Sequence, residues 1–276
     1  MKLYKTKTGI IVGHEDRYYL LPGTDWDTLI NQPALYNWLQ ETIAALQPYA
    51  DTFTSDDCLV PIGSQEVWAA GVTYLRSKVA RMEESKESGG ATFYDKVYDA
   101  ERPEIFFKAN PYKVVPHQGK VRIRKDSNWN VPEPELTLVI NSNGEIVGYT
   151  IGNDMSSRSI EGENPLYLPQ AKMYDGSAAV GPCVLVTAAP IDPATLISIC
   201  IMREGVTVFE GNVTIDKMKR KHTELVEFLY REYSFSTGAY LMTGTCVVPD
   251  NDFTLQPGDA IQITITGIGT LINTVA

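Results

Sequence analysis

Glu133-Pro134-Glu135-Leu136-Thr137-Leu138-Val139-Ile140, followed by Gly148-Tyr149-Thr150-Ile151-Gly152-Asn153-Asp154, is the stretch on which the fold turns. From Glu135 the residues alternate. Leu136, Leu138 and Ile140 share one face of a strand, and Glu135, Thr137 and Val139 the other. Glu133 and Glu135 point the same way. Asn143-Gly144, between the two runs, is a two-residue hairpin signal. A turn there sets Glu133 opposite Asp154 and Glu135 opposite Gly152, with the glycine leaving room for the acid. Single acids on a strand are ordinarily solvated. Three like charges on one face are different, because they destabilise a sheet. A bound cation relieves the repulsion. Oxygen donors with no His or Cys nearby point to a hard ion, Mg²⁺ ahead of Mn²⁺ or Ca²⁺. The expected metal ligands are therefore Glu133, Glu135 and Asp154.

Around this hairpin lies a chain of 276 residues with a net charge of −10, 43% hydrophobic and 21% charged. That length permits one large domain, or a small one joined to a large one. The acidic balance argues against a nucleic-acid surface. It also requires a local positive feature to draw in any anionic substrate. Cys58, Cys183, Cys200 and Cys246 are scattered with no CxxC, which fits a reduced, cytoplasmic protein. The start, Met1-Lys2-Leu3-Tyr4-Lys5-Thr6, has no apolar run, so no signal peptide is expected. Nor does any apolar run reach membrane-spanning length.

Short strands are expected at Lys2–Lys5, Gly9–Gly13 and Tyr18–Leu21. A helix opens at Pro33, carries Leu35, Leu39, Ile43 and Leu46 on one face, and ends before Pro48. The polar connection Asp51–Asp57 sets a domain boundary near residue 60. Residues 1–60 then form a small α+β unit and 61–276 the main body. Further strands are read at Val67–Val72, Ile105–Lys108, Val121–Arg124, Ala178–Thr187, Ile197–Met202, Val206–Phe209, Tyr240–Thr243, Ala260–Thr266 and Thr270–Val275. Helices are read at Leu75–Glu87, a candidate lid ended by Ser88-Gly89-Gly90, and at His222–Glu232. Asn164–Leu168 reads as loop. Strands dominate without βαβ alternation, so the class is α+β.

Several runs, in this order, resemble the fumarylacetoacetate hydrolase superfamily. They are Glu133-Pro134-Glu135-Leu136, Gly148-Tyr149-Thr150-Ile151-Gly152-Asn153-Asp154-Met155-Ser156-Ser157-Arg158, Lys172, Gly181-Pro182, Thr243-Gly244-Thr245, Gly258-Asp259, Gly267-Ile268-Gly269-Thr270-Leu271 and Asn273. The resemblance covers about residues 65–276 and implies a β-rich mixed-sheet roll assembled as homodimers or higher homo-oligomers. Val97-Tyr98-Asp99-Ala100, Arg102-Pro103-Glu104-Ile105-Phe106-Phe107-Lys108 and Glu163-Asn164-Pro165-Leu166-Tyr167-Leu168-Pro169-Gln170 are similar to the branch of 2-keto-3-deoxy-D-arabinonate dehydratases. The family's ligands fall on the same three acids derived above.

Two departures bear on the reaction. Hydrolases of the family read Gly-x-Asn-Tyr, then a His and a Glu at steps of three, a dyad that activates water. Here the strand reads Gly71-Val72-Thr73-Tyr74, with Ser77 and Ala80 at the dyad positions. A hydroxyl and a methyl cannot act as that base. Ser159 also stands where most members carry Asp, which removes a partner for Arg158. The resemblance thus favours an enzyme that dehydrates a 2-keto-3-deoxy pentonate, of arabinonate or xylonate type, to 2,5-dioxopentanoate.

In that reaction the ion holds a 2-oxo acid and stabilises the enolate formed as C3 loses a proton. Lys172 and Glu104 are the expected acid–base pair. A neighbouring metal would lower the lysine's pKa. Arg158, Lys108, Glu161, Thr245, Tyr74 and Tyr167 are candidates for contacting the substrate. Two other readings compete: a C–C hydrolase or decarboxylase acting on a diketo acid, acylpyruvate or oxaloacetate, and a carboxylate cluster with no catalysis.

Overall fold

The computed structural model describes residues 1–49, 53–55, 58–75, 82 and 91–276. The rest of the fold is laid against the hairpin. Strands β8 (Pro134–Ile140) and β9 (Ile146–Asp154) pair antiparallel, with Glu135 opposite Gly152 and Val139 opposite Gly148. The Asp154 N–H donates to the Glu133 carbonyl at 3.0 Å, so these two acids also sit in register. The turn differs from the expected two-residue form. A bulge shifts the pairing between Val139 and Ile140, and residues 141–145 make the loop. The Asn141 side chain is the reason: its Oδ1 accepts from the N–H groups of Asn143 and Glu145 at 3.0 and 2.9 Å.

This hairpin lies inside a nine-stranded sheet ordered β3-β2-β1-β11-β9-β8-β14-β4-β5. The other members are β1 (Lys2–Lys5), β2 (Ile10–His14), β3 (Arg17–Leu21), β4 (Glu66–Gly71), β5 (Glu104–Ala109), β11 (Ala178–Leu185) and β14 (Ala239–Met242). Only β14 and β4 run parallel among its pairs. The three N-terminal strands join through Lys2 opposite Leu185, so residues 1–21 extend the main sheet. A five-stranded sheet, ordered β13-β12-β15-β16-β6, covers one face. It is built from β6 (Lys120–Val121), β12 (Leu196–Arg203), β13 (Val206–Thr214), β15 (Ala260–Ile265) and β16 (Gly269–Val275). A two-stranded ladder joins β7 (Asn130–Val131) to β10 (Ser156–Ser157).

Alternation along β8 divides the interior. Leu136, Leu138 and Ile140 enter a core with Ile151, Ile197, Ile199 and Ile263, between the two sheets. Val139 enters a second core with Leu3, Trp26, Leu29, Leu39 and Tyr240, beneath the helices α1 (Trp26–Ile30) and α2 (Leu35–Ala44). Both faces of the hairpin are therefore covered, and every residue of β8 is buried. Full burial of one such side chain contributes roughly 1.5–3 kcal/mol. Any polar group left on this hairpin needs partners.

The N-terminal expectations hold in outline, with one helix missed. Asp25 caps α1, accepting from the Thr28 N–H at 3.0 Å. Helix α2 begins at Leu35, not Pro33, because Ala34 takes a left-handed φ of +46° and separates the proline from the helix. Val121–Arg124 shortens to β6, which ends at Val121. Helix α3 (Ala91–Asp99) was not expected. Asn164–Leu168 is not a loop. Pro165–Tyr167 forms a 3₁₀ turn, started by the Asn164 side chain accepting from the Leu166 N–H, and leads into α5 (Leu168–Lys172). Helix α4 (Arg158–Glu163) precedes it, and α6 (His222–Tyr230) follows near the expected place. Of the candidate lid Leu75–Glu87, all but Leu75 and Met82 lies outside the described residues, as do Ser77, Ala80 and Ser88-Gly89-Gly90.

Candidate active site

At the open end of the hairpin, Glu133, Glu135 and Asp154 each offer a carboxylate oxygen, and these lie within 4.8 Å of one another. All three side chains are buried. Buried ions must be paired to persist, and the chain supplies cations from three other elements. Lys172, the last residue of α5, is 0% exposed. Its Nζ donates to Glu133 Oε2 at 2.7 Å, Asp154 Oδ2 at 3.0 Å and Ser156 Oγ at 2.6 Å. Glu161 Oε1 lies 3.3 Å away. Arg158, at the start of α4, donates from Nη2 to Glu133 Oε1 at 2.7 Å and sets Nη1 3.6 Å from Glu161 Oε2. Lys108 on β5 reaches Asp154 Oδ1 at 2.5 Å and donates to the carbonyls of Met155 and Lys172.

Glu135 is the exception. Among the described residues no lysine or arginine pairs with it, and its Oε2 accepts from the Gly244 N–H at 2.6 Å. Burial pushes its carboxyl well above the usual range, and the charges of Asp154 and Glu133 add to this. Burial also lowers the Lys108 ammonium, while Asp154 opposes the shift. Four buried acids, Glu133, Glu135, Asp154 and Glu161, thus face three buried cations, Lys108, Arg158 and Lys172. The deficit falls on Glu135. An all-carboxylate donor set short of positive charge fits a hard divalent cation.

Why these side chains meet is a matter of local periodicity. Glu104, Phe106 and Lys108 alternate along β5 and so share a face. The Phe106 ring centroid is 5.8 Å from the Lys172 Nζ. Glu104 pairs with Gly71, and its Oε2 lies 1.9 Å from where a Cβ on that glycine would stand. Only glycine lets this carboxyl lie over the strand. On α4 an i,i+3 spacing brings Arg158 and Glu161 together. Glu161 thereby serves as the partner that Ser159 cannot provide; Ser159 Oγ sits 2.8 Å from Ser127 Oγ.

A cavity of about 20 Å³ lies between these groups, lined by Gly71, Val72, Phe106, Arg158, Lys172, Gly244, Thr245 and the three acids among others. Five expected residues, Glu104, Lys108, Glu161, Tyr74 and Tyr167, are not in that lining. Tyr74 is 1% exposed and belongs to the larger core, since the chain dives inward after Val72. Its phenol is pushed up by burial, then by Cys246 and Glu135. Tyr167 is 38% exposed on its 3₁₀ turn. The expectation that Gly152 leaves room for Glu135 also needs correcting. A Cβ there would meet Thr137 Oγ1 at 2.3 Å and Met242 Cε at 3.0 Å, so those side chains take the space. Ser156, Phe106, Val72 and Gly244 were missed. For Ser156 and Phe106 the signal was present, two residues on from Asp154 and Glu104 along a strand.

The family described as "Fumarylacetoacetate (FAA) hydrolase C-terminal" matches residues 67–276. A probable 2-keto-3-deoxyxylonate dehydratase of Haloferax volcanii is 49% identical over 226 residues, 82% of this chain and 77% of that protein. A 2-dehydro-3-deoxy-D-arabinonate dehydratase of Saccharolobus solfataricus is 47% identical over 217 residues, 78% of this chain and 73% of that one. Among solved structures, a 2-keto-3-deoxy-D-arabinonate dehydratase complexed with magnesium and 2,5-dioxopentanoate superposes with a TM-score of 0.84. It is 35% identical, and the match covers 100% of this chain and 98% of that one.

Proposed function

The chain belongs to the fumarylacetoacetate hydrolase family, and from that premise we propose that it is a Mg²⁺-dependent dehydratase of a 2-keto-3-deoxy pentonate, a hydro-lyase yielding 2,5-dioxopentanoate. One observation carries the reading: the Lys172 ammonium is buried against two acids of an oxygen-only triad, a place suited to proton transfer beside a bound 2-oxo acid. The dehydratases of similar sequence and the Mg²⁺ complex of similar fold support it. Glu133, Glu135 and Asp154 would hold the ion. When bound, Mg²⁺ polarises the keto oxygen and steadies the negative charge that builds there as C3 loses a proton.

The remaining work falls to side chains of this chain. Of Lys172 and Glu104, one takes the C3 proton and the other gives a proton to the departing 4-hydroxyl. The C3–H and C4–O bonds break, and water leaves. Proton shifts among C3, C4 and C5 then produce the C5 aldehyde. Arg158 and Glu161 hold Glu133 and Lys172 in place and face the substrate oxygens. Lys108 fixes Asp154 and the Lys172 backbone, and Thr245 offers its hydroxyl to the substrate carboxylate. Tyr74, in the core, and Tyr167, at the surface, contribute from outside the cavity lining.

Residues 61–276 carry every side chain assigned a role, and residues 1–60 are the smaller unit, whose strands β1–β3 continue the main sheet. None of the four cysteines is in a disulfide, which accords with a cytoplasmic setting. Among the described residues no helix is long and apolar enough to cross a membrane. Assembly as a homodimer or larger homo-oligomer, and a place in pentose degradation, complete the proposal.

Hydrolysis of a diketo acid is the competing reading, and the histidines disfavour it. His14 lies near Glu15, the His117 Nδ1 accepts from the Ile272 N–H, and His222 is on α6. None lines the cavity between the acids. Incubating the protein with Mg²⁺ and either the deoxy pentonates or an acylpyruvate separates the two. 2,5-Dioxopentanoate from the former is the expected result. Pyruvate from the latter, with no dioxopentanoate, would overturn the proposal.

A further inference from the structure

Strand β4 ends at Gly71, and the next residue holds an uncommon backbone. Val72 has φ +53°, a left-handed value that a β-branched residue adopts only when its surroundings enforce it. It is buried and lines the cavity between the acids. The reversal carries Thr73, 0% exposed, against the Thr243-Gly244-Thr245 turn. There the Thr73 Oγ1 donates to the Thr243 carbonyl at 2.7 Å. The peptide bearing that carbonyl also bears the Gly244 N–H, which donates to Glu135 Oε2 at 2.6 Å.

A peptide unit is planar and rigid, so fixing its carbonyl fixes the direction of its N–H. The hydroxyl, the peptide and the carboxylate form one chain of hydrogen bonds in which each polarises the next. Contacts are close throughout. A Cβ on Gly244 (φ +92°) would lie 2.1 Å from Thr73 Oγ1 and 3.0 Å from the Ala70 carbonyl. Thr243 is itself pinned to Leu136, beside Glu135, by its N–H at 3.0 Å and its hydroxyl at 2.8 Å. Glu135 is the acid with no cationic partner among the described residues, so this N–H is the contact that aims it.

We propose that Thr73 is a positioning residue for Glu135, acting through the Thr243–Gly244 peptide, and that the strained backbone at Val72 exists to present the Thr73 hydroxyl to that peptide. The inference rests on the reading of Glu135 as a Mg²⁺ ligand. Orienting partners of a metal ligand govern affinity even though they never touch the ion.

The test is Mg²⁺ titration calorimetry on wild type, Thr73→Val and Thr73→Ser, with folding checked by thermal midpoint. Thr73→Val keeps the shape and removes the hydroxyl, and it is expected to weaken Mg²⁺ binding about 10- to 100-fold. Thr73→Ser keeps the hydroxyl and is expected to bind within about threefold of wild type. A purely structural role would lower the midpoint and leave the affinity alone, and that result overturns the proposal. If wild type itself binds no Mg²⁺, the metal-site reading fails and the inference with it. Should Thr73→Val not fold, hydrogen exchange at the Gly244 amide of wild type decides. Strong protection supports the relay, and exchange at the rate of an unstructured peptide overturns it.

Discussion

The two ends of the β8–β9 hairpin are built from the same pair of strands and have opposite characters. At the turn end a groove of about 770 Å³ opens between residues 143–149, the 187–190 connection and α6. At the acid end the cavity is about 20 Å³. Size points one way and chemistry the other. The groove is floored by Ile146, Val147 and Val226, and its Arg231 pairs with Glu227 at the surface. The small cavity holds three carboxylates, a buried lysine and a buried arginine. Buried charge is costly, and a chain concentrates it only where it is balanced or used. Density of buried ions, not volume, sets the acid end apart.

That contrast is open to attack by mutation, starting with the largest effect. Glu135→Gln keeps shape and removes the charge that lacks a cation; it should abolish both Mg²⁺ binding by calorimetry and dehydration. Lys172→Ala should lower kcat by about 10²–10⁴-fold, measured at saturating Mg²⁺ with the fold intact by circular dichroism. At the turn end the effect should be on stability alone. Asn141→Ala removes the acceptor of two backbone N–H groups and should cost about 1–3 kcal/mol in urea unfolding, with kcat and Mg²⁺ affinity unchanged. Any loss of Mg²⁺ affinity there would mean that the ends are coupled.

The smallest effect concerns His222 in the groove. Burial lowers its pKa below the usual 6.5. Below pH 6.5 the unfolded chain takes up a proton that the folded chain refuses. Its contribution to stability is therefore complete above pH 6.5 and is lost as the pH falls towards the folded-state pKa. His222→Gln should flatten that part of the urea midpoint against pH.

The acid end was legible in the sequence because it obeys period two. Glu133, Glu135 and Asp154 follow from alternation and register, and the structure keeps that register despite a longer turn. The α+β class followed from strand-rich periodicity for the same reason. Less visible were features set by distant contacts. Nothing local says that Tyr74 turns into the core, since that depends on the left-handed Val72. Likewise, the space over Gly152 is shared between Thr137 and Met242, the latter from a strand some ninety residues later in the chain. The short helix α5 was hidden because asparagine and proline, read as loop formers, here start helical turns, whereas α4 is started by the Ser157 cap. Motif resemblance, not periodicity, brought forward Lys172 and Arg158.

Dehydration as proposed has one requirement above the others, the metal held by the acid end. It is tested most directly by titrating Mg²⁺ into EDTA-stripped protein while following 2,5-dioxopentanoate formation from the 2-keto-3-deoxy pentonates. The predicted result is no turnover without the ion, with a rate that rises and saturates at the Mg²⁺ concentration that fills one calorimetric site. Full-rate dehydration by the stripped protein would contradict it.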